Sequence, residues 1–341
     1  MVKFNPENER IKRNYTRDLR EADGYDDSTI DKALAAIHRF EETTRFKPFK
    51  KFHIDQAVKF KEVMYSARNA KSGKPLGAST VDSTLRAVKK FFHWLVGKPG
   101  FKKVLTYADV RYFNNTKKRT RVAHTSREVP YPTVKAAAHA FHAMPNRTAF
   151  EKRDKALFAF FMLTGARVGA VASLRIKHVN LARGHVFQDA RVVNTKAAKT
   201  INTYFFPVEA AYLDCLTAWL TFLNDEMLRG PEDALFPKAQ VPVVKGKGFS
   251  DPVLTREPYA TTSKLNEIIR TAFSNVQLHP YTPHSFRKTL AMEMDRFCDT
   301  MEERKAWSMN LGHEKLAVTV GSYMQVNGQR QEELMRKFKS G

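Results

Sequence analysis

The segment TPHSFRKT, residues 282–289, brings an imidazole and a guanidinium together at a predicted helix start. Thr282 can cap the helix, and Pro283 suits its first turn, where a backbone N–H has no partner inside the helix. His284 and Arg287 are three residues apart, so they share one face of this turn. Two cations at the positive end of a helix repel each other and the helix dipole unless an anion lies between them. Because helix N-termini commonly bind phosphate, the segment predicts a phosphate site, and an ordinary exposed helix start is the alternative.

Three more basic side chains fall at predicted junctions of secondary structure. Arg167 lies between an apolar helix and the next helix, a place from which a side chain can leave the core and reach a surface cleft. Segments 185–193 and 201–206 are rich in β-branched and aromatic residues, so they predict the two strands of a hairpin. The polar connection between them presents Lys196 and Lys199 near its tip, where lysines are also commonly just solvated.

A histidine and a tyrosine follow in the C-terminal part of the chain. The helix predicted over 302–311 ends at Gly312, a residue that suits a helix C-cap. His313 lies just outside this helix, and Tyr323 lies ten residues further on. These positions add a second imidazole and a phenol to the set of side chains that could do chemistry.

The charge of the chain predicts a polyanionic partner. The 341 residues are enough for two domains with real cores, and their formal net charge is +23, from 58 Lys and Arg against 35 Asp and Glu. Residues 1–127 hold 29 of the cations but only 14 of the acidic residues, so this part carries +15 of the net charge. Nucleic acid is the simplest polyanion to propose, and an anionic membrane surface is the competitor.

Several classes of protein are disfavoured. No run of 18 or more apolar residues and no apolar signal core occur, so we expect no membrane association and a cytoplasmic location. The two cysteines, Cys215 and Cys298, form no metal-ligand pair or disulfide framework. The histidine-bearing segments are poor in carboxylates, and neither His-Glu-x-x-His nor paired Cys-x-x-Cys occurs. We therefore expect no metal and no cofactor, which argues against a metal-dependent nuclease.

Apolar spacing predicts an all-helical N-terminal part. Helices are predicted over 26–45, 53–69 and 79–96. In the last of these, Arg86, Lys89 and Lys90 fall off the apolar stripe, while its aromatic cluster is predicted to be core. The helix over 53–69 is predicted to bury four apolar residues, namely Ile54, Ala57, Val58 and Val63.

A basic, proline-bearing segment over 114–133 lacks apolar periodicity and is predicted to be a linker. Beyond it, an apolar helix over 151–163 and further helices surround the one predicted hairpin. The predicted fold class is thus mainly α with a small β-sheet (α+β). We expect a helical bundle over residues 1–120 and a second domain over residues 121–341.

The order TGAR, a hairpin lysine, HSFRK, LGH and SY resembles the tyrosine recombinases, the family of phage integrases and bacterial site-specific recombinases. The resemblance covers about residues 28–335, and five motifs in this order are far more specific than any one of them. It implies a core-binding domain that clasps the duplex and a catalytic domain. It also implies a catalytic set that comprises Arg167, Lys196, His284, Arg287, His313 and the nucleophile Tyr323.

Three departures from the family pattern stand out. The family often has an acidic residue three positions after the first catalytic arginine, which is Arg167 here, and this chain has Ala170 at that position. His313 and Tyr323 are ten residues apart, whereas nine is commoner. Both Lys196 and Lys199 occupy the hairpin connection, and Lys196 is preferred because NTK resembles the family's pattern after the first strand.

The resemblance implies a recombinase that cleaves and rejoins a specific duplex DNA site through a covalent 3′-phosphotyrosine, serving a mobile element. It implies a homotetramer on DNA, a monomer or weak oligomer when free, and nucleoid association in a bacterium. The alternatives are an inactive DNA-binding protein of the same fold, which Ala170 keeps open, and a type IB topoisomerase-like enzyme. The residues predicted to contact DNA are basic, namely Arg86, Lys89, Lys90, Lys117, Lys118, Arg119, Arg121, Lys199 and Lys288.

Overall fold

The chain divides into two units with separate cores, Met1–Arg127 and Glu128–Gly341. The structure is a computed structural model that describes residues 4–70, 72–125, 129–195, 199–241, 243–244, 248–323, 331–332 and 335–336. The described side chains exclude those of residues 243, 244, 248, 249, 318, 322 and 323.

The N-terminal unit is a bundle of helices around an aromatic core. Its helices are α1 (Pro6–Glu21), α2 (Asp27–Thr43), α3 (Ile54–Ser66), α4 (Ala78–Val96), α5 (Tyr107–Val110) and α6 (Lys117–His124). Phe40 packs edge-to-face on Phe60, Phe92 and Phe113, at centroid distances of 5.4, 5.0 and 5.6 Å. The three predicted helices are confirmed. Of the aromatic cluster predicted to be core, Phe91 and Phe92 are buried, and Trp94 is partly buried against the same core.

The predicted buried face of α3 was right at Ala57 and wrong at Val58 and Val63. Val58 and Val63 are 38% and 41% exposed, whereas Ala57, Phe60 and Met64 are buried. The buried positions are spaced three and four residues apart, which is the repeat of one helix face. The larger Phe60 and Met64 side chains therefore decide which face turns inward.

The predicted linker over 114–133 is also corrected, because it contains helix α6. This helix has no buried residue, so it shows no apolar repeat in the sequence. Polar contacts hold it instead. The buried carboxylate of Asp82 on α4 accepts hydrogen bonds from Thr120 Oγ1 of α6 at 3.4 Å and from Asn115 Nδ2, just before α6, at 3.1 Å. The Arg119 guanidinium lies 3.6 Å from the Tyr65 ring centroid.

The C-terminal unit surrounds a central helix, α8, whose residues 156–164 are all buried by neighbouring elements, although residues 151–155 are charged. Its first half comprises α7 (Val134–Ala143), α8 (Ala149–Thr164), α9 (Val168–Ser173), β1 (Val179–Asn180), β2 (His185–Gln188), β3 (Ile201–Tyr204) and α10 (Ala210–Thr221). Its second half comprises β4 (Ala239–Gln240), β5 (Val243–Val244), β6 (Gly248–Phe249), β7 (Val253–Leu254), α11 (Ser263–Asn275), α12 (Pro283–Met292), α13 (Met294–Phe297), α14 (Met301–Asn310) and α15 (Leu316–Tyr323).

The predicted hairpin is present as β2 and β3, which pair antiparallel with Val186 opposite Thr203. β1 adds a third strand, giving the order β1-β2-β3. The strand predicted over 185–193 ends at Gln188, because Asp189 begins a turn in which its carbonyl accepts from the Val192 N–H at 3.1 Å.

Two further strand pairs, β4 with β7 and β5 with β6, were not predicted. The fold class, mainly α with a small sheet, is confirmed. Within the described ranges, no helix is long and apolar enough to cross a membrane.

Candidate active site

A left-handed glycine ends α8 and sets the direction of the segment that carries Arg167. Gly165 has φ +55° and donates its N–H to the Phe161 carbonyl at 2.9 Å. A Cβ at this position would lie 2.9 Å from Leu311 Cδ2 and 3.0 Å from Leu290 Cδ1. Only glycine combines this conformation with so close an approach. Arg167 then forms the N-cap of α9.

Arg287 is buried on α12, with only 2% of its surface exposed. Its Nη1 donates to the Gly165 carbonyl and its Nη2 to the Leu311 carbonyl, each at 2.5 Å. Its Nη2 also lies 3.0 Å from His313 Nε2. Within the described residues its Nε–H finds no acceptor. The guanidinium therefore links α12 to the turn after α8 and to the turn after α14.

The turn after α14 places His313 beside Arg287. Gly312 has φ +71° and donates to the Met309 carbonyl at 2.7 Å, while the His313 N–H donates to the Ser308 carbonyl at 3.1 Å. These two bonds form a Schellman motif, which confirms Gly312 as the residue that ends the helix. A Cβ on Gly312 would lie 3.4 Å from Arg167 Nη1, so Arg167 also reaches this turn.

His313 is held on its other side by α15. The ring is 6% exposed, and its Nδ1 lies 2.8 Å from Thr319 Oγ1. Thr319 Oγ1 lies 2.6 Å from Ser308 Oγ on α14. A buried hydrogen-bonded chain therefore runs from Arg287 through His313 to α15.

The helix start that holds His284 differs from the sequence expectation. The Thr282 side chain makes no capping hydrogen bond, which corrects the prediction; instead, Ser285 Oγ donates to the Thr282 carbonyl at 2.7 Å. His284 is exposed whereas Arg287 is buried, although they are only three residues apart. Arg287 therefore lies in the interior of the unit, whereas His284 lies at its surface.

The hairpin connection is anchored at Asn194 and at Lys199. Asn194 donates its N–H to Ser173 Oγ on α9 at 2.9 Å. Lys199 forms an ion pair with Glu314, the residue after His313, and this hydrogen bond lowers the pKa of the Glu314 carboxyl. Lys196 lies outside the described residues.

Tyr323 is the last residue of α15, and its side chain lies outside the described part. α15 packs on α12 and α14, the helices that carry Arg287 and precede His313. The backbone of the predicted nucleophile is therefore contiguous with the elements that hold the basic groups.

Ala170, at the position where the family often has an acidic residue, is 1% exposed in the core of the unit. A carboxylate there would need a buried partner to offset its desolvation. The small apolar side chain packs without that requirement.

The predicted DNA-binding residues differ in how they are engaged. Arg86 Nε lies 3.0 Å from Asp82 Oδ2, and Lys90 Nζ donates to Asp23 Oδ2 at 2.8 Å. Lys288 Nζ donates to the Val129 carbonyl at 3.1 Å. Lys89 is half-buried, whereas the α6 cations are exposed, namely Lys117, Lys118, Arg119 and Arg121.

Sequence reasoning missed Thr319 and Ser308, which complete the hydrogen bonds of His313. The available signal was that Thr319 precedes Tyr323 by four residues, one helical turn, and so lies on the same helix face. It also missed Asn310, whose side-chain amide pairs with both backbone groups of Tyr204 at the open edge of β3, at 2.7 and 2.8 Å.

Comparison with known proteins decides the family. The model of the phage integrase family matches residues 133–330, more than half of the chain. This chain belongs to the phage integrase family. It is a tyrosine-type site-specific recombinase, as its motifs predicted. A search of curated proteins gives no significant match.

Solved integrase structures share the fold of this family member over most of the chain. A lambda integrase dimer bound to a COC′ core site has a TM-score of 0.62 at 13% identity, covering 94% of this chain and 96% of that one. The Tn1549 transposon integrase in complex with transposon right end DNA has a TM-score of 0.55 at 13% identity, covering 96% and 99%. A lambda integrase tetramer bound to a Holliday junction has a TM-score of 0.57 at 13% identity, covering 90% and 77%.

Proposed function

We propose that this recombinase cleaves a specific duplex DNA site by attack of Tyr323 on a backbone phosphate, which leaves a covalent 3′-phosphotyrosine and a free 5′-hydroxyl. The observation that carries the proposal is the convergence of Arg167, Arg287 and His313 on one turn, next to the helix that ends at Tyr323. Guanidinium groups remain charged and match phosphate geometry, so this cluster suits a phosphodiester anion.

Arg287 and Arg167 are proposed to stabilise the charge that builds on the non-bridging oxygens. A buried N–H without an acceptor costs about 1–3 kcal/mol, and Arg287 Nε is in this state within the described residues. This nitrogen is buried in the free protein, so we propose that a phosphate oxygen supplies the missing acceptor after the covering residues shift on DNA binding. His313, which is hydrogen-bonded to Arg287, keeps the guanidinium oriented.

Proton transfer is assigned to the exposed and hairpin groups. A free tyrosine has a pKa of about 10, so attack at neutral pH needs a base or a cationic environment. His284 is exposed on α12 and can accept the phenol proton. Lys196 is proposed to protonate the leaving 5′-oxygen. In support of this choice, Lys199 is already paired with Glu314, whereas Asn194, two residues before Lys196, is tied to α9, the helix that Arg167 begins.

The domain roles, binding partner and assembly are part of the same proposal. We propose that residues 1–120 form the core-binding domain and residues 121–341 the catalytic domain. The integrase structures of similar fold are complexes with a core site, transposon end DNA or a Holliday junction, and this supports a duplex DNA substrate and a tetramer on DNA. The Tn1549 likeness supports service to a mobile element.

Trapping on a nicked suicide duplex tests the proposal. Cleavage near the nick releases a short 5′-hydroxyl strand, so ligation cannot reverse the reaction and a covalent protein–DNA adduct accumulates. We expect wild-type protein to form this adduct on its own site, and Tyr323→Phe to bind DNA without forming it. An adduct that persists in Tyr323→Phe would remove Tyr323 from the role of nucleophile.

A second assay separates recombination from simple relaxation. A plasmid with two target sites should yield recombinant products, whereas supercoiled DNA without sites should stay supercoiled. Relaxation of any plasmid without recombinants would instead indicate a type IB topoisomerase-like activity.

A further inference from the structure

We propose that Thr319 is a positioning residue for strand cleavage: its hydroxyl fixes the orientation of His313 and ties α15, the helix that ends at Tyr323, to the phosphate-binding groups. This inference rests on the proposed role of Tyr323 as the nucleophile.

A chain of buried hydrogen bonds links Arg287 to Thr319 and Ser308. Arg287 Nη2 lies 3.0 Å from His313 Nε2, His313 Nδ1 lies 2.8 Å from Thr319 Oγ1, and Thr319 Oγ1 lies 2.6 Å from Ser308 Oγ. These four residues are 2%, 6%, 0% and 0% exposed. Because water does not reach Thr319 or Ser308, their hydrogen bonds must be made inside the protein.

The direction of the two bonds that His313 makes follows from the groups that can donate. A guanidinium has no acceptor, so His313 Nε2 must accept from Arg287. The neutral imidazole then carries its proton on Nδ1 and donates it to Thr319 Oγ1. The Thr319 hydroxyl accepts this bond and also shares a hydrogen bond with Ser308 Oγ, in which either oxygen can be the donor. A hydroxyl at position 319 can do both at once, whereas a methyl group can do neither.

Thr319 and Tyr323 share one helix, α15. Thr319 and Tyr323 are four residues apart, so they lie on one face of α15, about 6 Å apart along its axis. Fixing Thr319 against His313 and Ser308 sets both the rotation and the height of this face. A misplacement of about 1 Å in a reacting group can cost about 10²-fold in rate, so a hydrogen bond one turn from the nucleophile has a large effect on cleavage.

The burial of Thr319 limits the role that it can have. It lies at 0% exposure and its hydroxyl is already bonded to His313 and Ser308, so we assign it no direct contact with DNA. Its effect therefore acts through His313 and α15. A comparable supporting residue beside a functional group is typically worth about 10–100-fold in activity.

Full-length Thr319→Val and Thr319→Ser test the proposal. Valine keeps the shape of threonine and removes the hydroxyl, whereas serine keeps the hydroxyl. On a nicked suicide duplex at saturating protein, we expect Thr319→Val to lower the first-order rate of adduct formation by about 10–100-fold, with unchanged DNA affinity. Thr319→Ser should keep most of the rate. The matched control is Thr289→Val, which removes another buried hydroxyl, bonded to the Pro132 carbonyl at 2.6 Å; it should cleave normally.

A spectroscopic readout separates positioning from general loss of structure. In ¹⁵N-resolved spectra of the free protein, His313, assigned with His313→Gln, should carry its proton on Nδ1, and this N–H should be protected from exchange with water in the wild type and in Thr319→Ser but exchange faster in Thr319→Val. If Thr319→Val does not fold, Ser308→Ala, which removes the next hydroxyl in the chain, should give the same direction of change. Wild-type cleavage by Thr319→Val, or an Nε2–H tautomer in the wild type, would overturn the proposal. Failure of wild-type protein to form any adduct would instead count against the proposed function, while the exchange rate of the His313 Nδ1–H still reports on Thr319.

Discussion

Arg287 combines a full charge with nearly complete burial, and its partners define what can replace it. Its two terminal nitrogens satisfy the carbonyls of Gly165 and Leu311 and also reach His313. These contacts depend on the planar fork of a guanidinium, which an ammonium group cannot reproduce. The residue therefore joins three parts of the chain as well as supplying charge.

From this we predict that Arg287→Lys abolishes cleavage and lowers the free energy of unfolding. Each buried carbonyl left without a donor costs about 1–3 kcal/mol. Urea unfolding gives the stability change, and suicide-substrate trapping gives the activity. The control is Arg256→Lys, where an exposed guanidinium pairs with Asp233, and its unfolding free energy should change by less than about 1 kcal/mol. An Arg287→Lys protein as stable as Arg256→Lys would contradict the structural role.

A substrate with a better leaving group can show whether Lys196 or Lys199 acts as the general acid. A general acid contributes about 10²–10⁴-fold when a strongly basic alkoxide leaves. A 5′-bridging sulfur leaves as a thiolate, whose conjugate acid has a pKa of about 8.5 by analogy with cysteine, and so needs little protonation. We expect Lys196→Ala to cleave normal DNA slowly and the sulfur-bridged substrate well, with Lys199→Ala near normal on both.

Cleavage rates of both variants on both substrates at one pH show which lysine is the general acid. Rescue by sulfur in Lys199→Ala would move the general acid to Lys199. Rescue in neither variant would mean that the leaving-group proton comes from another source.

At the scale of elements, the site depends on two left-handed glycine turns. Gly165 ends α8 and Gly312 ends α14, and each turn delivers a basic residue, Arg167 or His313, to the same place. Leu311 packs directly against Gly165, so the two turns are in contact.

We predict that Gly165→Ala destabilises the C-terminal unit more than Gly184→Ala does. Both glycines have φ +55°, so both variants carry the cost of a left-handed non-glycine residue, about 1–2 kcal/mol. At Gly184 the nearest atom to a new Cβ is 3.5 Å away, an ordinary contact, whereas at Gly165 it is 2.9 Å. The extra crowding should add about 1–3 kcal/mol. Equal unfolding free energies for the two variants would show that the close contact is not retained.

These elements also show what the sequence can and cannot predict. Arg167 and His313 were predictable because glycines mark the junctions where they lie. The burial of Arg287 and the role of Thr319 depend on contacts between distant segments, which local spacing does not report. α6 was missed because Asp82 and Tyr65 hold it through polar and cation–π contacts instead of an apolar stripe. The prediction for α3 was wrong because it placed Val58 and Val63 on one face, although residues five apart do not share a helix face.

At the scale of the whole molecule, the excess charge is concentrated in the N-terminal unit, which carries +15 of the total +23. Some cations there are already paired, as Lys90 is with Asp23, so net charge overstates what is available to DNA. α6 presents its cations to solvent. We therefore expect this helix to supply a larger share of phosphate contacts than the α4 residues.

The salt dependence of DNA binding measures this share. Each phosphate neutralised on duplex DNA contributes about 0.9 to the slope of log K against log salt. We predict that Lys117→Gln/Lys118→Gln makes the slope shallower by about 2. The matched double variant Lys102→Gln/Lys103→Gln removes two exposed lysines of the same unit and should leave the slope unchanged. Equal slopes in the two double variants would place the phosphate contacts elsewhere.

Tyr323 is proposed to become bonded to a 3′-phosphate, and mass spectrometry of the trapped adduct measures this bond most directly. After digestion with nuclease and protease, we predict a single modified peptide, which contains Tyr323 and carries a nucleotide attached through its 3′-phosphate. The released strand should begin with a 5′-hydroxyl. Modification of any other residue, or attachment through a 5′-phosphate, would contradict the proposed mechanism.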